Sequence, residues 1–304
     1  MENNRFEINM NNIYIYKYFL LTFDDNYVEQ AIGLMKSIIN NTDEKVCFIV
    51  FSSSFNDVSI DKLKNTNIPI IIYYIDSKMF NYDNPIHSSW PIATMFRLIA
   101  PWVIKEEMDY LYYLDCDMLC INKVDDLFKL KFNQSIAMCF EVSGNIRKQC
   151  EQFSNDSIYC NAGFLIYNMN EIKKKYNMND MLNYLNSILD NLAFGDQDFL
   201  NLYYVNDTKY LNAIKYDNQI QEYLNFTKIN YLLQNTIFVH FSARQKPWMN
   251  NSGLIKYNIY LKYSKYDYMT KLVKKNKNHY ILLKPFRLCK RILRKIYRVI
   301  FKKK

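Results

Sequence analysis

The strongest constraint on this chain is a series of short apolar runs without polar alternation: 13-IYIYKYFLLTF-23, 46-VCFIVFS-52, 68-IPIIIYYI-75, 110-YLYYL-114, 135-SIAMCF-140 and 160-CNAGFLIYN-168. Runs of this kind, rich in Ile, Val, Tyr and Phe, belong to strands buried on both faces. Helical periodicity falls between them. In 26-NYVEQAIGLMKSIINN-41, Val28, Ala31, Ile32, Met35, Ile38 and Ile39 share one face, and Asp24 or Asp25 stands where a cap is needed. The pattern predicts further helices over 91–107 and 170–190. Strands alternating with helices imply an α/β fold, a mostly parallel central sheet with helices on both faces. Ligands of such sheets bind beyond the carboxyl ends of the strands. Asp24-Asp25-Asn26 and Asp115-Cys116-Asp117 both fall there.

With 304 residues, half of them apolar, the chain can bury a large core. Five Gly and six Pro are too few for a turn-dense sandwich or a collagenous chain. Seven scattered Cys with no C-x-x-C exclude a zinc ribbon or thioredoxin-like motif and fit reduced thiols in the cytoplasm. The first 25 residues lack a signal peptide, and the run at 13–23 carries Lys17 and is too short to span a bilayer.

Charge is unevenly spread. Residues 271–304 hold 14 Lys and Arg and no acidic residue, which leaves 25 basic against 30 acidic residues elsewhere. The net +9 therefore belongs to a tail, and we expect a globular domain over 1–265 and a basic tail over 266–304. After Pro285, Leu288, Ile292, Ile296, Val299 and Ile300 follow helical spacing, while Lys290, Arg291, Arg294, Lys295 and Arg298 take other faces. A basic helix with an apolar stripe is expected at an anionic membrane surface. Nucleic acid is not expected, because it would leave the stripe without a partner. The plainer alternative is a solvated basic tail whose stripe packs on the domain.

Three segments carry candidate chemistry. Burying Asp115 and Asp117 unpaired at the end of an apolar run costs several kcal/mol, roughly. Two hard oxygen donors there suit Mg²⁺ or Mn²⁺. A turn in which Asp115 caps a helix near Asn122 explains them equally well, and D-x-D recurs at 196/198. His240 ends the apolar run 236-TIFV-239 and precedes Lys246 and Trp248. Imidazole with two carboxylates suits Mn²⁺ and Lys246 suits a phosphate, the bland alternative being a structural His. In 195-GDQDFLNLYY-204, Asp196 can be read as a helix cap, with Gln197 and Asp198 in the first turn.

In order, the segments strand-DDNY, 93-ATMFRL-98, YLDCD, 161-NAGFLIYN-168, DQDFLN and 240-HFSARQKPW-248 closely resemble the retaining glycosyltransferases of family 8. That family includes bacterial lipopolysaccharide galactosyl- and glucosyltransferases. The resemblance spans roughly residues 13–250 and implies a GT-A fold, a UDP-sugar donor and a Mn²⁺ (or Mg²⁺) cofactor. It makes Asp115, Asp117 and His240 the metal ligands. Phe23, Asp24, Asn26 and Tyr27 match the loop that holds uridine, with Tyr27 stacking on uracil. Arg97 matches the Arg that contacts donor sugar and phosphate, and Asn161 and Ala162 line the sugar pocket. Asp196 and Gln197 match the pair beside the anomeric carbon, and Lys246 matches the Lys on the diphosphate. Cys116 falls within the donor-binding stretch but has no chemical part of its own. Two departures stand out: Ala243 occupies the usual Gly position, and Glu141 stands where Asp is common.

The resemblance implies transfer of galactose or glucose from a UDP-hexose to a cell-surface glycan or glycolipid, of the lipopolysaccharide or lipooligosaccharide core type. The enzyme would sit peripherally on the inner face of the cytoplasmic membrane. A sugar losing UDP becomes oxocarbenium-like and favours an electron-rich oxygen beside it, which the Gln197 carbonyl can supply. An amide is a poor nucleophile, so same-face attack by the acceptor is expected over a covalent intermediate. An inverting GT-A transferase would need a general-base carboxylate, and none stands out. A catalytically silent sugar-nucleotide-binding or membrane scaffold protein is the alternative of a different class.

Overall fold

A computed structural model of the chain describes residues 5–11, 15–80, 91–142, 158–220, 232–242, 245–250 and 252–283. Eight strands form the central sheet: β1 (Arg5–Ile8), β2 (Lys17–Thr22), β3 (Val46–Ser52), β4 (Ile70–Tyr74), β5 (Tyr110–Leu114), β7 (Ile136–Phe140), β8 (Cys160–Asn168) and β9 (Thr208–Leu211). Across the sheet they stand in the order β1-β4-β3-β2-β5-β8-β7-β9. The strands β4, β3, β2 and β5 run parallel, as do β7 and β9. In contrast, β8 is antiparallel to both β5 and β7, and β1 is antiparallel to β4. The expected mostly parallel α/β sheet is present.

Its strands read as continuous apolar runs because both faces are covered. On one face Phe19, Leu21, Phe48, Val50 and Phe164 pack beneath α1 (Val28–Ile39) and α2 (Asp57–Lys64). On the other, Leu20, Ile49, Phe51, Tyr113 and Leu165 pack against Met95, Phe96 and Ile99 and against the helices that follow β8. Each large apolar side chain so buried contributes about 1.5–3 kcal/mol.

The helices depart from the expected spans where local chemistry intervenes. Residues 91–107 do not form one helix but a 3-10 segment, Ile92–Ile99, followed by a single turn, α3 (Ala100–Val103). Pro101 is the reason. In a continuous α-helix its ring would strike the Arg97 carbonyl and could donate no hydrogen bond to it. Here that carbonyl accepts from the Ala100 N–H and, at 3.0 Å, from the Tyr167 hydroxyl. The span 170–190 splits into α4 (Met169–Lys175) and α5 (Met178–Ile188), because Tyr176 is extended and Asn177 caps the second helix on the Asp180 N–H. Asp24 caps not the first helix but the 3-10 turn that leads into it (Asp25–Tyr27), accepting from Asn26 N–H at 2.9 Å, and α1 itself starts from Tyr27 with no side-chain cap.

Two short helices follow, α6 (Asp196–Tyr203) before β9 and α7 (Ala213–Tyr216) after it. A smaller sheet sits beyond the carboxyl end of β5. It contains β6 (Met118–Cys120), flanked by β11 (Phe238–His240), which also pairs with the short β10 (Asn218–Gln219). Its apolar face, Leu119, Val239 and Phe241, is covered by α8 (Leu254–Tyr263) and by the helical residues 267–283, through Tyr257, Tyr260, Met269 and Val273. The basic stripe read after Pro285 lies outside the described residues, as do Ala243, Cys150 and Cys289. Among the described residues no helix is long and apolar enough to cross a membrane.

Candidate active site

The ladder between β5 and β8 continues one residue past Leu114, the Asp115 N–H donating to Gly163 O at 2.8 Å. This sets Asp115-Cys116-Asp117 beside Asn161-Ala162-Gly163. A turn closed by the Met118 N–H on Asp115 O (3.1 Å) then feeds β6. The next helical element is a 3-10 turn, Asp125–Lys129, which lies beyond β6 with Val124 at its N-cap and no side-chain cap, so the reading of Asp115 as a helix cap fails. Across β6, His240 stands opposite Met118 and the Phe241 N–H donates to Asp117 O at 3.0 Å.

The result is a cluster in which one ligand atom each from Asp115, Asp117 and His240 lie within 4.8 Å of one another. His240 Nε2 is 3.2 Å from Asp117 Oδ1 and 3.9 Å from Asp115 Oδ2. Its Nδ1 lies 2.7 Å from Oδ1 of Asp217, a fully buried carboxylate just before β10. A carboxylate behind one ring nitrogen aims the other at the site. Lys246 Nζ pairs with Asp117 Oδ2 and donates to Phe241 O at 3.0 Å.

The electrostatics follow from burial and these partners. Burial alone would raise the Asp117 carboxyl, but Lys246 and His240 outweigh it and hold the group well below the usual range. Burial would lower His240, yet Asp117 and Asp217 together raise it well above its ordinary value. Buried Asp117 Oδ1 makes no hydrogen bond of good geometry, its near partner being His240 Nε2 at 3.2 Å, and a cation between the two would satisfy both. Two carboxylates and an imidazole therefore fit a divalent ion of the Mn²⁺ or Mg²⁺ kind.

Arg97 links this cluster to a second one. Its buried guanidinium places Nη2 3.1 Å from Asp115 Oδ1 and Nε 3.0 Å from Asp196 Oδ2, donates through Nη1 to Ala162 O at 2.7 Å, and lies 4.2 Å from the centre of the Tyr113 ring. The Tyr113 hydroxyl donates to Asp115 Oδ1 at 2.6 Å. Gly195, at φ 50°, turns the chain into α6, a conformation that favours glycine. Gly195 is the cap position and no side chain caps the helix, so the capping expected of Asp196 does not occur; Asp198 Oδ2 accepts from the Phe194 N–H, before the helix, at 2.7 Å. Asp196 instead faces Arg97. Burial pushes its carboxyl up to about 6, only partly offset by the Arg97 charge.

Gln197 Oε1 accepts from the Ala162 N–H at 3.1 Å, and its Nε2 donates to the Tyr159 hydroxyl at 3.1 Å. Asn161 donates to Glu141 Oε2 at 2.8 Å and accepts from the Gly163 N–H at 2.7 Å. Asp115, Asp117, His240, Lys246, Arg97, Ala162, Asp196 and Gln197 thus form one connected polar network, with Asn161 alongside. Tyr27 joins from the end of β2, its ring edge-on to Trp248 at 6.5 Å. Burial and the Asp117 charge raise its phenol. Asp24 and Asn26 lie on the same rim, but Phe23 turns into the core against Phe55 at 5.3 Å. Cys116 is buried and its thiol points at Thr22 O, 3.9 Å away. Burial and the flanking carboxylates raise it well above its ordinary value.

Three contributors were not read from the sequence: Asp217, Gly163 and Tyr159. Gly163 is required by space, since a Cβ there would meet His240 Cε1 at 2.4 Å and Asn161 Oδ1 at 2.9 Å. Its presence in the N-A-G segment was the available signal. Asp217 in 216-YDNQ-219 looks like any turn carboxylate, and Tyr159 precedes its strand without a pattern.

Comparison with known proteins identifies the family and the fold. The family model for glycosyl transferase family 8 matches residues 19–252. A lipopolysaccharide 1,2-glucosyltransferase of Escherichia coli is 27% identical over 245 residues, covering 74% of this chain and 71% of that protein. General stress protein A of Bacillus subtilis is 25% identical over 275 residues, covering 80% and 92%. A lipopolysaccharide 1,3-galactosyltransferase of Salmonella typhimurium is 25% identical over 237 residues, covering 72% and 68%. Among solved structures, the galactosyltransferase LgtC in complex with donor and acceptor sugar analogs superposes with a TM-score of 0.65 at 18% identity, over 85% of this chain and 95% of that one. The last shares the fold. The match of the family model over most of its length places this chain in glycosyl transferase family 8.

Proposed function

We propose that this glycosyltransferase moves a hexose, galactose or glucose, from a UDP-sugar to a glycan of the lipopolysaccharide-core type, with retention and with Mn²⁺ or Mg²⁺ bound. The observation that carries the reading is the Asp115, Asp117 and His240 cluster joined by Arg97 to the Asp196 and Gln197 pair. The glucosyl- and galactosyltransferase names of the relatives support the donor and acceptor classes.

Asp115, Asp117 and His240 Nε2 would hold the ion, which when bound offsets the charge that develops on the departing diphosphate. Lys246 adds an ammonium at the same end. Tyr27, backed by Trp248, offers uracil an aromatic face. Arg97 is fixed between Asp115 and Asp196 before any ligand arrives, so its contact with the donor needs no reorganisation. Gln197 is likewise oriented by Tyr159 and the Ala162 N–H, and its carbonyl oxygen keeps a second lone pair for the sugar. Such an oxygen stabilises a positive anomeric centre but is a poor nucleophile, which favours same-face attack, the departing phosphate oxygen taking the acceptor proton. The basic residues after 283 are proposed to hold the enzyme on an anionic inner-membrane surface.

The test is mass-spectrometric detection of UDP released from a panel of UDP-sugars, with and without Mn²⁺. Metal-dependent release from UDP-galactose or UDP-glucose is expected. No turnover of any donor would point instead to a silent sugar-nucleotide binder.

A further inference from the structure

Lys256 in α8 is only 8% exposed. Its Nζ donates to Gln245 O at 2.8 Å and reaches Ser242 O at 3.5 Å. Among the described residues no carboxylate pairs with it. The charged groups that face it are Lys246, from the segment after β11, and Asp117, from the turn before β6. A buried ammonium beside a like charge, with only carbonyl partners, is an unfavourable arrangement. It becomes favourable when an anion arrives nearby. Gln245 adjoins Lys246, so the carbonyl that Lys256 grips belongs to the backbone carrying the phosphate-seeking lysine.

We propose that Lys256 is a positioning residue for the donor diphosphate: its buried ammonium braces the backbone that presents Lys246 and adds a second positive charge behind it. The inference rests on the proposed use of a UDP-sugar. Without an anion, burial and the Lys246 charge lower Lys256 to about 8. A bound diphosphate favours the charged form. UDP binding is thus coupled to retention of a proton on Lys256, and weakens as the pH rises through that value.

The experiment is calorimetric titration of the full chain with UDP in the presence of Mn²⁺, comparing it with Lys256→Met and Lys256→Arg, each also titrated with Mn²⁺ alone. Lys256→Met is expected to bind UDP about tenfold more weakly, with Mn²⁺ affinity unchanged in the absence of UDP. Lys256→Arg is expected to restore UDP binding and to remove its weakening above neutral pH. UDP binding by Lys256→Met within about twofold of the unmodified chain overturns the inference. If that variant does not fold, the arginine variant decides, and an unaltered pH profile overturns the proposal. UDP binding that is intact but indifferent to residue 256 removes this inference alone. Absence of UDP binding by the unmodified chain removes the proposed function with it.

Discussion

Around Gln197 and Asn161 the polar groups are locked by hydrogen bonds, whereas around Asp117 they are held mainly by ion pairs. At the first end, Gln197 uses both ends of its amide, Asn161 uses both of its own, and Arg97 meets two carboxylates and two carbonyls. At the second, Asp117 lies between the Lys246 ammonium and His240 Nε2, the latter 3.2 Å from Oδ1, and the imidazole is held between carboxylates on both sides. The difference separates a region fixed by hydrogen bonds from a charged one whose ligand atoms could hold a metal ion.

The largest test of that contrast is Asp117→Ala. It is expected to lower turnover by about a thousandfold, several kcal/mol of lost charge stabilisation, while the protein still melts cooperatively. Initial rates and thermal unfolding measure both, and retention of a tenth of the activity would break the distinction. Next, Asp217→Ala is expected to weaken Mn²⁺ binding by about ten- to a hundredfold, read from the free-ion Mn²⁺ resonance signal. Asp217→Asn should recover part of the loss, because its amide oxygen can still accept from His240. Equal Mn²⁺ affinity in all three proteins would mean that packing alone orients the ring.

The smallest expected effect lies at the sugar end. The Asp196 carboxyl, raised from 3.8 to about 6 in the folded chain, contributes stability that is full below the lower value and lost as the pH rises through the upper one. Asp196→Asn removes this dependence. Relative to the unmodified chain it should gain about 2 kcal/mol between pH 4 and 7, measured by denaturant unfolding across that range. A constant difference at all pH values would show that Arg97 already neutralises Asp196.

The central sheet was legible because its strands are buried on both faces, which leaves a run of apolar residues that nothing else explains. The six ordered segments likewise carried most of the polar network, and the strand ends predicted to hold Asp115 and His240 do hold them. What the pattern concealed was local backbone geometry and second partners. Pro101 was visible, but its conflict with the Arg97 carbonyl appears only when the helix is drawn residue by residue. Lys256 reads as one more surface lysine in 254-LIKYNIYLKY-263, and its burial beside the Ser242 and Gln245 carbonyls is a matter of tertiary packing. Asp217 meets His240 through a strand of two residues, too short to leave a period.

The helical residues 267–283 begin inside the span expected to be a tail, yet Val273 is fully buried and Asn276 donates to Trp248 O at 2.6 Å. A truncation at residue 271 would therefore cut into the wall behind Tyr27, so a deletion meant to remove only an anchor must begin after 283. The same helix rises about 1.5 Å per residue and cannot bend freely while its inner face is docked. Under the proposed membrane role, this strut would set the height and tilt at which the crevice faces the surface, and so which part of a glycan could reach it.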